Sequence, residues 1–169
     1  FKPTAVIKTM APNKSSMEMS VAGMGTIMKQ KFNGSVGYVE QQGTKTPMSE
    51  TELAEKAEEK GLFPETYLNR DTLTLISLVT IDGVDIYKIK VKEDSFRYYN
   101  ATDGLLVRLE KTEETQGQKM ISVQDLSDYR EVSGVLFPHL QKMTTGQQVI
   151  SLTVKDIIIN SEVSLEDFN

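Results

Sequence analysis

The chain has 169 residues, 38% of them hydrophobic and 25% charged, with a net charge of −5, no Cys, no Trp and the single histidine His139. Without Cys there is no thiolate nucleophile, no Cys-based zinc site and no iron–sulfur cluster, and a single histidine excludes a paired-histidine metal site. The acidic balance and the absence of a Lys/Arg run disfavour phosphate-backbone binding, and no stretch approaches the length of a membrane-spanning helix. At this length about 70% of the unfolded chain's surface can be buried on folding, so a full core requires no disulfide.

Taken in chain order, alternation with period two recurs almost throughout, the mark of strands with one apolar face. The chain opens in strand-like Phe1-Lys2-Pro3-Thr4-Ala5-Val6-Ile7-Lys8, and the residues shown read as a mature or excised part of a longer precursor. Met17, Met19 and Val21 fall on one face, opposite Ser16, Glu18 and Ser20. Val21 to Thr26 reads as a glycine-supported reversal, and Met28, Gln30 and Phe32 lie on the return strand. Asn33-Gly34 then predicts a hairpin into the alternating Val36, Tyr38 and Glu40.

The pattern becomes helical at Ser49, a good N-cap, with Glu50 and Glu52 in the first turn, Lys56 and Lys60 late, and Gly61 at the end. Its apolar stripe, Leu53, Ala54 and Ala57, is too thin for a core helix, which predicts a helix lying over a sheet edge. Leu62-Phe63-Pro64-Glu65-Thr66-Tyr67-Leu68 follows, with Pro64 starting a second short helix.

Strands resume at Leu73, where apolar residues on both faces up to Ile81 predict a strand covered on both sides. Asp82-Gly83 turns it into residues 84–92. A short strand from Phe96 to Tyr99 leads through Asp103-Gly104 into residues 105–115, and Gln116-Gly117-Gln118 turns into Met120–Leu126. Asp128 to Gly134 reads as a connection to a strand starting at Val135, and Gly146 separates the last two strands. About ten strands at roughly ten-residue spacing, joined by tight turns, predict one large, curved antiparallel sheet in a single domain over 1–169, with short helices packed on its concave side.

The Asp-Gly and Asn-Gly pairs are accounted for by hairpin geometry, and the acidic run Glu50 to Glu59 by a solvated helix face. Asp125, Asp128, Glu131 and His139 match no metal-ligand spacing, no glycine-rich phosphate loop occurs, and no nucleophile has a base at a working spacing, so no catalytic residue, metal or cofactor is expected. The one compositional oddity is methionine: of 8 residues, Met10, Met17, Met19, Met24 and Met28 lie within the first 28. Methionine-rich surfaces adapt to varied apolar ligands. The residues expected to line an apolar cavity are Met17, Met19, Met28 and Phe32 from the strands and Leu62, Phe63, Tyr67 and Leu68 from the segment after the helix.

Several motifs taken in order carry a family resemblance. These are Met10-Ala11-Pro12-Asn13-Lys14, Phe32-Asn33-Gly34 with Gly37-Tyr38, Leu62-Phe63-Pro64-Glu65, residues 81–89 around Asp82-Gly83, residues 98–106 around Asp103-Gly104, and Asp128 to Pro138. Together they resemble the outer-membrane lipoprotein-sorting proteins, relatives of the Lol-type lipoprotein carriers, in their Bacteroidetes-type version. The resemblance implies an incomplete antiparallel β-barrel lidded by helices, in a periplasmic or outer-membrane-associated protein that shelters a lipid or lipoprotein acyl chain during transport. It leaves a second expectation: an accessory, protein-binding domain of a larger envelope protein such as a zinc peptidase, itself without the peptidase's metal-binding residues.

Overall fold

The structure is a computed structural model and describes residues 2–115 and 118–169. They gather into two compact units, one taking in the chain up to Leu68 together with Asn160–Asn169, the other Asn69–Ile159. The first holds strands β1 (Thr4–Met10), β2 (Lys14–Val21), β3 (Gly25–Phe32), β4 (Gly37–Gln41) and β5 (Thr44–Pro47), then helix α1 (Glu50–Glu58) and a 3₁₀ turn at Pro64–Thr66. A closing 3₁₀ turn, Leu165–Phe168, belongs to the same unit. The second holds a 3₁₀ turn at Arg70–Thr72 and strands β6 (Thr74–Ile81), β7 (Val84–Lys92), β8 (Ser95–Asn100), β9 (Leu106–Thr115), β10 (Gln118–Val132), β11 (Val135–Thr145) and β12 (Gln148–Thr153).

The mainly β, antiparallel character follows from the alternation, but the strands form two sheets rather than one. The first is a meander β1 to β5 and the second a meander β6 to β12. No pairing joins β5 to β6, because residues 48–73 are spent on α1 and two 3₁₀ turns. Neither sheet closes into a barrel among the described residues. The expected helical cover is also absent from α1, none of whose residues is buried. Ser49 does cap it: its hydroxyl accepts from the Glu52 N–H and the Glu52 carboxylate accepts from the Ser49 N–H at 2.7 Å. The helix ends at Glu58, short of Gly61.

The turns explain the remaining differences. Asp82 and Gly83, with φ of 50° and 80°, form the two-residue reversal expected between β6 and β7. The same left-handed pair recurs at Gln42-Gly43, joining β4 to the unforeseen β5, and at Ser133-Gly134, so β10 runs on through Asp128–Val132 where a connection was expected. Asn33 heads a four-residue loop instead of a tight hairpin, its Oδ1 accepting from the Ser35 and Val36 N–H groups. The turn expected at Gln116-Gly117 lies outside the described residues.

Burial is thin. The buried apolar side chains among the described residues are Val21, Phe32, Met48 and Phe168 in the first unit and Ile86, Tyr98, Leu126 and Phe137 in the second. The chain exposes 11803 Å². Two separate globular domains of these sizes would together expose about 10,000 Å². Strand β6, expected to be covered on both faces, leaves Leu75 61%, Ile76 48% and Leu78 56% exposed.

Candidate functional site

The first sheet separates charge from apolar surface. Its register places Ala5, Met19, Met28 and Gln41 in one cross-strand row, Ile7, Met17, Gln30, Val39 and Thr46 in the next, and Thr9, Ser15, Phe32 and Gly37 in a third. All three rows lie on one face, because each is offset by two residues from its neighbour. No member is charged. The opposite face carries Lys8, Lys14, Glu18, Lys29, Lys31, Glu40 and Lys45, with Glu18, Lys29, Glu40 and Lys45 alternating in sign along one row. Alternating charges in register support strand pairing on that wet side.

Both faces are anchored at one end. On the uncharged face Phe32 is 1% exposed. Across from it Gly37 leaves room for the Met48 thioether: a Cβ on Gly37 would stand 2.5 Å from Met48 Sδ and 2.6 Å from the Lys31 carbonyl oxygen. The Met48 N–H donates to the Gly37 carbonyl at 3.0 Å, which holds the chain against the sheet as it enters α1. On the charged face the closing 3₁₀ turn is tethered by Lys8 to the Asp167 carboxylate and by Lys31 Nζ, which donates to the Asn169 carbonyl at 3.0 Å. Phe168 is buried there, and so is Ser16 of β2. The Lys8 ammonium, with the Ser164 N–H, holds the Asp167 carboxyl below the ordinary carboxylate range.

Of the residues expected to line a cavity, Met17, Met19, Met28 and Phe32 therefore share one face, with Phe32 as its buried end and the methionines half-buried. Ile7, Val39, Gly37 and Met48 complete that surface and were not among the residues expected to line a cavity. Leu62 and Phe63 belong to the same unit but keep 58% and 38% of their surface in water, so neither side chain seals an enclosed space, while Tyr67 and Leu68 are half-buried. A separate open groove of about 540 Å³ lies on the unit, bordered by Val36, Tyr38, Lys45, Pro47 and Phe168, with Lys45 Nζ 3.4 Å from the Tyr38 ring centroid.

The second sheet carries a polar row on one face: Lys88, Tyr98, Arg108 and Asp125 are successive cross-strand neighbours on β7 to β10. Tyr98 donates its hydroxyl to Glu110 Oε2 at 2.8 Å, Lys88 Nζ stands 3.4 Å from Glu110 Oε1 and 4.1 Å from the Phe96 ring, and Arg108 Nε donates to Asp125 at 2.6 Å. Burial raises the Tyr98 pKa, the hydrogen bond that Lys88 donates to Tyr98 raises that of Lys88, and the bond to Asp125 raises that of Arg108. These shifts favour the neutral tyrosine and the charged cations, and the network links four strands. The other face carries the row Leu75, Ile89, Arg97, Leu109, Gln124, Met143 and Ile150. His139 is a buried β11 residue whose Nδ1 lies 2.9 Å from the Phe137 carbonyl oxygen.

Among the described residues no three His, Cys, Asp or Glu side chains are grouped to hold a metal ion, and no helix is long and apolar enough to cross a membrane. Comparisons with protein-family models, with curated proteins and with solved structures find no match to this chain.

Proposed function

We propose that the chain is a non-enzymatic binding domain of the cell envelope that shelters a lipid or lipoprotein acyl group, received on the uncharged methionine face of the first sheet. The observation that carries this reading is the segregation of charge: seven charged residues on one face and none on the other. An acyl chain offers only CH₂ groups, and every charge on the surface that received it would lose its hydration without a partner in return. A surface free of charge avoids that cost. The unbranched, polarisable side chains of Met17, Met19 and Met28 follow an irregular or sliding chain better than branched residues. The resemblance of the ordered sequence motifs to lipoprotein-sorting proteins supports the envelope location.

A second reading is an accessory module that binds another envelope protein. It is favoured by the second sheet, where Leu75, Leu78, Tyr87, Met143 and Ile150 are each at least 41% exposed, an apolar surface of the kind that marks protein contacts.

The test is displacement of a fluorescent fatty acid by palmitate, run on the wild type, Met19→Glu and Val6→Glu. Met19 lies on the uncharged face and Val6, 60% exposed, on the charged one. The expected result is saturable displacement that weakens at least tenfold in M19E and stays unchanged in V6E, with both variants folded by circular dichroism. Absence of saturable binding, or equal loss in both variants, would overturn the acyl reading and leave the protein-binding one.

A further inference from the structure

The two sheets draw on different apolar residues. Strands β1 to β5 contain four methionines, Met10, Met17, Met19 and Met28, and no leucine, whereas β6 to β12 contain eight leucines and two methionines. Leucine and methionine have similar volumes and exchange at little cost, so packing alone gives the first sheet no reason to use only methionine. What methionine adds is a thioether, a soft, polarisable donor at the end of a flexible chain.

Three of the four stand together. Met19 is directly opposite Met28 across β2 and β3, and Met17 lies two residues along β2 on the same face. Opposed Cβ atoms are about 5 Å apart, same-face neighbours along a strand about 6.7 Å, and diagonal ones about 7–8 Å. A point above that triangle is about 4–5 Å from each Cβ, within reach of three unbranched side chains turning their sulfurs inward. All three are half-buried, so an ion from solvent can reach them. Met28 Sδ already accepts from Gln41 Nε2 at 3.6 Å, which shows this sulfur open to a polar partner, and a thioether is too weak an acceptor for that bond to compete with a metal. The three cross-strand rows of this face hold no His, Asp or Glu, so a divalent ion that takes imidazole or carboxylate finds no ligand there. Thioethers select Cu(I), and a single charge among neutral donors leaves less to compensate than a double one.

We infer that Met17, Met19 and Met28 form a binding site for a soft monovalent cation, Cu(I) or its analogue Ag(I), held by three thioethers. The site stands apart from the acyl reading, although it shares the face: an acyl chain needs an uncharged, adaptable surface, and the ion needs sulfur.

The test has two parts, both on the whole chain without oxygen. Transfer of Cu(I) from the coloured chelator bicinchoninate is measured for the wild type, Met19→Leu, Met28→Leu and Met24→Leu, the last a control at a methionine 66% exposed between β2 and β3. Titration with Ag(I) is then followed by NMR of the methionine methyl groups. The absence of cysteine leaves no thiol to take either ion. The expected result is one ion per chain and Cu(I) binding at least tenfold weaker in M19L and M28L but less than twofold weaker in M24L. The methyl signals of Met17, Met19 and Met28 should shift while those of the rest of the 8 methionines stay, and Zn(II) should move none of them. Cu(I) that remains with the chelator overturns the inference. So do shifts spread over all the methionines, a loss in M24L equal to that in M19L, or equal binding of Zn(II). Leucine leaves the face uncharged, so M19L should change palmitate displacement less than threefold. A wild type that binds Cu(I) and no palmitate would sink the acyl reading alone.

Discussion

Replacing Gly37 by alanine tests the anchor of the uncharged face, because the sign of the effect is in question. Gly37 is not among the positive-φ residues, and at such a position Gly→Ala ordinarily stabilises by about 0.4–1 kcal/mol through the unfolded chain. Here the new Cβ would meet Met48 Sδ at 2.5 Å and the Lys31 carbonyl at 2.6 Å. The thioether can swing aside, but that uncovers a methionine now 6% exposed. The carbonyl belongs to β3 and can move only with the strand. Overpacking of this kind costs about 1–3 kcal/mol, so G37A is expected to destabilise the first unit by about 1–2 kcal/mol net. Hydrogen exchange followed by mass spectrometry reads it by region: protection should fall in peptides spanning residues 25–48 and stay unchanged in 84–112. Unchanged or increased protection in the first region would refute the packing described for Gly37, Phe32 and Met48.

Other expectations follow from the same contacts. Phe32→Ala should lower stability by about 3–5 kcal/mol, the cost of emptying a buried aromatic site, while Met17→Ala, half-buried, should cost about 1 kcal/mol; urea unfolding followed by circular dichroism compares them. Tyr98→Phe removes a hydroxyl donated to a carboxylate at 2.8 Å and should cost about 1–2 kcal/mol with the sheet otherwise intact, read as thermal unfolding. Asp167 has a depressed pKa, so its contribution is present above the ordinary carboxyl pKa of about 3.9 and is lost as pH falls through the lower folded value. Protection of residues 164–169 should therefore drop on acidification below about pH 4 in the wild type, and Asp167→Asn should abolish that dependence.

What was legible in the sequence was local. Alternation grouped Met17 with Met19 on one strand and Met28 with Phe32 on the next, and Asp82-Gly83 marked its hairpin, because side-chain alternation and left-handed turn residues are properties of a few adjacent residues; that the two groups share one face is set by the register between the strands. Strand β5 escaped because Thr44-Lys45-Thr46-Pro47 offers no apolar alternation, although Gly43 with φ of 81° supplied the turn signal. The far half of β10 escaped because Asp128-Tyr129-Arg130-Glu131 is polar, with Asp128 at φ 54° and its carboxylate bonded to Arg130. Whether twelve strands make one sheet or two depends on whether β5 meets β6, and no local pattern encodes a pairing across residues 48–73. Alternation likewise says which face is apolar and not what covers it, which is why β6 was expected to be buried and is an exposed edge.

The central claim is that the uncharged face of the first sheet receives an acyl chain, and photolabelling tests it most directly. A fatty acid bearing a diazirine near its methyl end, irradiated with the chain and mapped by mass spectrometry, should mark Met17, Met19, Met28 or Val39, with labelling competed away by palmitate. Labelling of Val6, Tyr38 or the strands of the second sheet, or labelling that palmitate does not compete, would contradict it.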